Sequence, residues 1–190
     1  MMAYAVGKYD LGILSCGGCY MDKVRDALIE EALKYDPDYI LWLDADQTYP
    51  KETPEILMRH IDSGKSIVGG VTPLKKYGEP LDGKPSVWDV DADTNFGHHR
   101  EISLNYGLIR VDGMGLGGIM MNPEVFKTLE YPWFFQMWNK EEARRPGVDF
   151  QFYGNCKRAG IDVWCDTDLV YGHIGVRPIE MKVKQGMVEL

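Results

Sequence analysis

Long apolar runs are missing from this chain of 190 residues, and so is any excess of basic charge. No apolar stretch approaches the roughly 20 residues that cross a bilayer. Residues 1–10 do not join a basic region to a long apolar one, as a signal peptide does. The sequence therefore predicts neither a membrane span nor a signal peptide, and we expect a cytoplasmic protein.

Acidic residues outnumber basic ones, 29 to 21, and the formal net charge is −8. A surface of this sign repels phosphate backbones and anionic lipids, so we do not expect nucleic acid or membrane as the main partner. A small anionic ligand is compatible with the sequence if a metal ion offsets the local repulsion.

Cysteine is sparse, and Cys16, Cys19, Cys156 and Cys165 are the whole set. Cys16 and Cys19 have the spacing of a redox or zinc pair, but no second Cys or His pair completes a zinc site. We therefore expect reduced thiols beside a glycine-rich loop.

Composition is typical of one globular domain over residues 1–190, with 45% apolar and 26% charged residues. Helical periodicity begins at Asp22 and must stop before Pro37, and a second helix begins at Thr53 with a proline in its first turn. Residues 38–43 and 66–71 are short apolar runs, typical of strands buried on both faces as in a parallel sheet. This alternation of strands and helices predicts an α/β fold.

The rest of the chain is less regular. Residues 75–103 are polar and rich in glycine, proline and aspartate, which predicts a surface excursion or mobile loop with room for a small hairpin. We expect further strands at residues 11–15, 104–111, 119–121, 163–165 and 170–171, helices at 123–129 and 149–159, and an unpatterned tail over 178–190.

Asp44 and Asp46 are the sharpest chemical feature of the sequence. Carboxylates at positions i and i+2 point the same way if the chain is extended. They follow the C-terminal end of a predicted strand, which is where open α/β sheets bind ligands. A cation relieves their mutual repulsion, and hard oxygen ligands suit Mg²⁺ or Mn²⁺. The alternative is a pair of solvated aspartates in a turn.

Two residues further along the chain carry chemistry of their own. His173 follows the last predicted strand between two glycines, and a neutral imidazole is a good ligand for a divalent metal. Taken alone, it is equally compatible with a histidine in a turn. Asp149 opens a predicted helix, where it either stabilises the N-terminus or acts as a general base towards an acceptor hydroxyl.

Two other motifs do not fit the sites that they resemble. The glycines of residues 113–118 lack the strand-then-helix setting of a dinucleotide fingerprint, and they fit better a loop that lets a sugar approach backbone amides. Asp89, Asp91 and Asp93 are spaced as in a calcium loop, but Thr94 and Arg100 stand where glycine and glutamate are needed.

Four segments in the family's order resemble the GT-A glycosyltransferases, especially family 2-like members. Residues 24–26 resemble an Arg-Asn pair found near the nucleotide, residues 38–50 the strand and DxD motif, residues 111–129 the glycine-rich donor and acceptor segment, and residues 147–175 the catalytic helix followed by a metal-binding histidine. The resemblance implies a Rossmann-like, mostly parallel sheet flanked by helices. The chain departs from the family at Val148, which replaces a glutamate, and at the family's first strand, which has no clear counterpart.

The resemblance also implies roles for individual residues. It implies nucleotide or donor binding by Arg25, Asp44, Asp46, Gly115, Gly117 and Gly118, metal binding by Asp46, His173 and Asp44, and catalysis by Asp149. The cofactor would be Mn²⁺ or Mg²⁺, the donor a UDP- or GDP-sugar, and the acceptor a carbohydrate or other hydroxyl compound. Trp133, Phe134 and Trp138 either stack on that acceptor or pack in the core or a lid.

The expected function is therefore metal-dependent, inverting transfer of a hexosyl group, and two alternatives stay open. A non-catalytic module would bind nucleotide sugars or carbohydrates without turnover, which an absent first strand favours. A metal-dependent nucleotidyltransferase would release pyrophosphate, but the sequence has no basic glycine-rich triphosphate loop. We also expect that a homodimer could complete the sheet at the edge left by the missing strand.

Overall fold

The computed structural model describes residues 9–16, 20–74, 84–136, 138, 147–174, 182–184 and 187–189, the last two ranges for their backbone alone. This described part of the chain contains short helices and many short strands. In chain order they are α1 (Met21–Leu33), β1 (Ile40–Trp42), β2 (Gln47–Thr48), α2 (Thr53–Asp62), β3 (Ile67–Val71), β4 (Val87–Val90), β5 (Gly97–His99), β6 (Leu108–Val111), β7 (Gly113–Met114), β8 (Ile119–Met121), α3 (Glu124–Thr128), α4 (Val148–Arg158), β9 (Val163–Val170), β10 (Gly172–His173), β11 (Lys182–Lys184) and β12 (Met187–Glu189).

Most predicted elements are confirmed by position. The four helices of the described residues lie where helical patterns predicted them, and β1, β3, β6 and β8 lie within the predicted strands. The predicted excursion contains the hairpin β4–β5, while residues 75–83 lie outside the described residues. Two short strands predicted after α4 are replaced by the single eight-residue strand β9 and the short β10.

Two stretches differ from their prediction. Residues 11–15, predicted as a strand, are exposed and have no regular structure. The tail, predicted to be unpatterned, pairs β11 with β12 as an antiparallel hairpin. Cys19 lies outside the described residues, so the structure describes only one member of the Cys16–Cys19 pair.

The central sheet overturns the predicted fold class. Its strand order is β1-β8-β3-β9-β6, and only β3 and β9 pair in parallel. The pairs β1–β8, β3–β8 and β6–β9 are antiparallel. A separate three-stranded sheet, β5-β4-β7, is antiparallel throughout. The chain therefore has a mixed α/β fold, and the prediction of a GT-A, Rossmann-like, mostly parallel sheet flanked by helices is wrong.

Strand direction explains this error. Parallel neighbours need a crossover connection, usually a helix. Helix α2 returns the chain so that β1 and β3 run the same way, but β8 lies between them and runs in the opposite direction. The stretch from β4 to β8 contains no helix. Of its strands, β6 and β8 join the central sheet antiparallel to their neighbours, although apolar runs such as β8 have the composition of parallel strands.

Apolar side chains cover both faces of the central sheet. Val68 and Met120 pack with Leu57 and Ile61, which lie four residues apart on one face of α2. Ile67 and other side chains pointing the opposite way join a larger cluster on the second face. That cluster includes Ile29, Met121, Phe126, Phe152, Cys156 and Cys165. The sheet is therefore a rigid platform, and the candidate site lies just beyond the end of β1.

Candidate functional site

Asp44 and Asp46 lie in a tight turn that follows β1. The backbone N–H of Gln47 donates to the carbonyl oxygen of Asp44 at 3.4 Å, which closes the turn. The chain is therefore not extended at this point, and the two carboxylates are not held parallel by strand geometry. The turn leaves the side chain of Asp46 49% exposed, while Asp44 is half-buried.

A short antiparallel ladder brings His173 to Asp46. Strand β10 pairs with β2 so that His173 lies opposite Gln47, and the N–H of Ile174 donates to the carbonyl oxygen of Asp46 at 2.7 Å. His173 Nε2 then lies 3.2 Å from Asp46 Oδ2, although 127 residues separate them in the chain. The structure thus brings together two of the residues that the sequence assigned to a metal.

The contact of the other ring nitrogen fixes where this histidine carries one of its protons. His173 Nδ1 lies 3.0 Å from the carbonyl oxygen of Pro73. A carbonyl only accepts hydrogen bonds, so Nδ1 carries a proton and donates it. In the neutral ring the Nε2 lone pair then faces the Asp46 carboxylate. This contact is favourable if Nε2 carries a proton or if both groups bind the same cation.

These donors fit a hard divalent cation. Metal-binding histidines usually donate their second ring N–H to a carbonyl or carboxylate, as His173 does to Pro73. Among the residues described, no group of three or more His, Cys, Asp or Glu side chains is arranged to hold a metal. Mg²⁺ and similar ions often take only one or two protein carboxylates, with water and substrate phosphate as the other ligands. Asp46 and His173 would form an incomplete site of this kind, with one carboxylate and one imidazole as the protein ligands.

Burial and neighbouring charges set the state of Asp44. Burial is the main influence and raises the pKa of Asp44 above its usual value. The guanidinium of Arg25 opposes this rise, whereas the Asp149 and Asp46 carboxylates add to it. When ionised, these four groups carry three negative charges and one positive charge. A divalent cation would balance the difference.

Arg25 and Asp149 form an ion pair between α1 and α4. Arg25 Nη1 donates to Asp149 Oδ1, and the Arg25 side chain is only 7% exposed. The rings of Trp42 and Phe134 each lie 5.8 Å from its Cζ atom. Within the described part of the chain, Arg25 Nε has no hydrogen-bond partner. This guanidinium is thus tied to Asp149 and packed against both rings.

The glycine-rich loop lies directly against the candidate site. A Cβ on Gly117 would lie 2.6 Å from Asp44 Oδ2, and one on Gly118 would lie 2.2 Å from a ring carbon of Tyr171. Gly118 also has φ near +74°, which disfavours other residues. Its N–H donates to the carbonyl of Trp42, and that of Gly115 donates to Ser86. These glycines let the loop pack against Asp44, and two of the amides predicted to face a sugar are already bonded within the fold.

The three aromatic residues assigned to an acceptor have different surroundings. Trp133 is buried, and its indole N–H donates to the carbonyl of Phe126 at 3.0 Å. Phe134 is 2% exposed and stacks on Phe152 with ring centroids 4.7 Å apart. Both therefore pack in the core, which was the alternative to stacking on an acceptor. Trp138 is 56% exposed.

Sequence reasoning missed the side chains that hold the site in place. Gln47 donates to Asp44 Oδ2 at 3.3 Å, and the hydroxyl of Tyr49 accepts from the Asp44 N–H at 2.9 Å. Pro73, whose carbonyl binds His173, follows β3. The only signal in the sequence is that Gln47 and Tyr49 lie within three residues of Asp46, and this position alone does not indicate a role.

Comparison with known proteins adds the fold alone. No protein-family model matches the chain, and no curated protein matches it. Solved structures do match, among them the crystal structure of A197 from STIV, with a TM-score of 0.57 and 19% sequence identity. The match covers 81% of this chain and 67% of that one. None of the described helices is long and apolar enough to cross a membrane.

Proposed function

We propose that this chain is a metal-dependent glycosyltransferase that moves a sugar from a nucleotide-diphosphate sugar to an acceptor hydroxyl. The observation that carries the proposal is the placement of His173 Nε2 at 3.2 Å from Asp46 Oδ2, with Nδ1 tied to a carbonyl. The order of the motifs in the sequence supports it. The fold is not the one that the resemblance implied, so the support comes from the site and from the motif order.

Asp46 and His173 would hold Mn²⁺ or Mg²⁺. When bound, such an ion stabilises the negative charge on the departing nucleoside diphosphate. Asp44 lies deeper, next to the glycine-rich loop, and would accept hydrogen bonds from the nucleotide end of the donor. Its half-buried position suits that task, because a hydrogen bond to a carboxylate is stronger away from water.

Asp149 is the candidate general base. It would take the proton from the acceptor hydroxyl while that oxygen bonds to the anomeric carbon and the bond from this carbon to the diphosphate breaks. Attack opposite the leaving group inverts the anomeric centre. Arg25 holds this carboxylate in place through the ion pair between α1 and α4. We therefore assign Arg25 to the positioning of Asp149, in place of direct contact with the nucleotide.

Release of UDP or GDP from nucleotide sugars in the presence of Mn²⁺ tests the proposal. The Asp149→Asn variant should lose about 10²- to 10⁴-fold in turnover, because it loses the base and keeps the shape. Asp162→Asn is the matched control, since Asp162 pairs with Arg110 on the surface. Full turnover by Asp149→Asn would refute the base. Binding by the wild type without turnover of any donor would favour the non-catalytic module.

A further inference from the structure

The side chain of Gln47 lies between Asp44 and the end of β3. Its Nε2 is 3.3 Å from Asp44 Oδ2, and its Oε1 is 3.1 Å from the Tyr49 hydroxyl and 3.4 Å from Thr72 Oγ1. Gln47 and Thr72 are both buried. Gly117 leaves no spare room on one side, because a Cβ there would lie 2.4 Å from Gln47 Nε2.

The chemistry of these neighbours fixes which way the amide points. An ionised carboxylate only accepts hydrogen bonds, so the amide group that faces Asp44 must be the NH₂. Tyr49 accepts from the backbone N–H of Asp44 and can donate its own proton to Gln47 Oε1. Thr72 donates to the same oxygen. The carbonyl end of the Gln47 amide therefore bonds to Tyr49 and Thr72, and its NH₂ end bonds to Asp44 in the candidate site.

The same network reaches the metal-binding pair. The backbone of Gln47 lies opposite His173 in the β2–β10 ladder. Thr72, which holds the Gln47 side chain, is followed by Pro73, whose carbonyl holds the His173 ring. One buried residue thus contacts Asp44 through its side chain and His173 through its backbone pairing.

We propose that Gln47 is a positioning residue that fixes the Asp44 carboxylate relative to the Asp46–His173 pair. This role rests on the proposed function, because it needs a ligand that engages both halves of the site at once. The Nε2 group positions Asp44 by donating to its carboxylate, and Oε1 anchors the Gln47 side chain to Tyr49 and Thr72.

Two substitutions separate the two ends of the amide. Gln47→Glu keeps the shape and the acceptor for Tyr49 and Thr72, but it removes the donor to Asp44. Gln47→Met removes both ends without adding charge. The matched control is Gln151→Met, which removes a buried glutamine of α4 that accepts a hydrogen bond from Asn95. The measurement is calorimetric affinity for UDP and GDP with Mn²⁺, together with the urea midpoint of each variant.

We expect both Gln47 variants to bind the nucleotide about tenfold more weakly or worse, which is the loss of one hydrogen bond to a charged group. The control should bind as the wild type does. Wild-type affinity in Gln47→Glu, or in Gln47→Met should the charged variant not fold, would overturn the role of Gln47 alone. Absence of metal-dependent binding by the wild type would instead overturn the proposed function, and this role with it.

Discussion

Replacing Gly117 with alanine adds one methyl group where the glycine-rich loop touches Asp44. The new Cβ would lie 2.4 Å from Gln47 Nε2 and 2.6 Å from Asp44 Oδ2, whereas ordinary contacts begin at 3.4 Å. Asp44 Oδ2 must therefore move by about 0.8 Å and Gln47 Nε2 by about 1.0 Å, or the loop must move away by about 1.0 Å. Both side chains end in movable groups, but the bonds of Gln47 to Tyr49 and Thr72 limit how far its amide can move.

Binding and turnover should suffer more than stability. Overpacking of this size costs about 1–3 kcal/mol of folding free energy. A misplacement of about 1 Å in a site can cost on the order of 10²-fold in rate. We expect that loss in turnover by Gly117→Ala, measured as release of nucleoside diphosphate, with the urea midpoint as the measure of stability.

Gly12→Ala is the matched control, because a Cβ at Gly12 meets nothing within 4 Å. It should leave both turnover and stability unchanged. Turnover by Gly117→Ala equal to that of the wild type, in a folded variant, would show that the position of Asp44 does not matter. The reasoning about the glycine-rich loop would then be refuted.

Two predictions concern α1. Arg25→Met should destabilise the fold by about 1–3 kcal/mol, because it leaves the part-buried Asp149 carboxylate unpaired. Arg110→Met at the exposed Asp162 pair should cost less than about 1 kcal/mol by urea unfolding, and equal costs would contradict the role of burial in the first pair. Burial raises the pKa of Asp26 in the folded protein, so its ionisation costs stability once the pH rises above the usual value of 3.8. The Asp26→Asn variant keeps an acceptor for the Phe134 N–H and should gain in stability over the wild type as the pH rises from 4 to 7. A gain confined to low pH would contradict a raised pKa for Asp26.

The sequence predicted which segments form helices and strands better than how the strands are arranged. The start of α2 at Thr53, next to a proline, and the apolar run of β8 are local signals, and both elements lie where these signals predicted. The direction of β8 depends on the connection through β4 to β7, which no local pattern encodes. Because β8 lies antiparallel between β1 and β3, the predicted parallel sheet was wrong.

The sequence likewise predicted some residues of the candidate site and missed others. Asp46 and His173 were singled out by residue type, and pairing of β2 with β10 brings them together. Trp133 and Phe134 pack in the core. Their residue type alone does not distinguish a core position from an acceptor site, because large aromatic rings suit both environments. Gln47 was missed because an amide next to an acid has no distinctive pattern. Its contribution depends on Thr72 and Tyr49, which only the folded chain places beside it.

Calorimetric titration of UDP and GDP, each with and without Mn²⁺, tests the central claim most directly when it is run on the wild type and on Asp46→Asn. We expect that one nucleotide binds the wild type only with the metal, and that Asp46→Asn loses this binding. Equal affinity with and without Mn²⁺, equal affinity in the variant, or no binding of either nucleotide would contradict a metal site formed by Asp46 and His173.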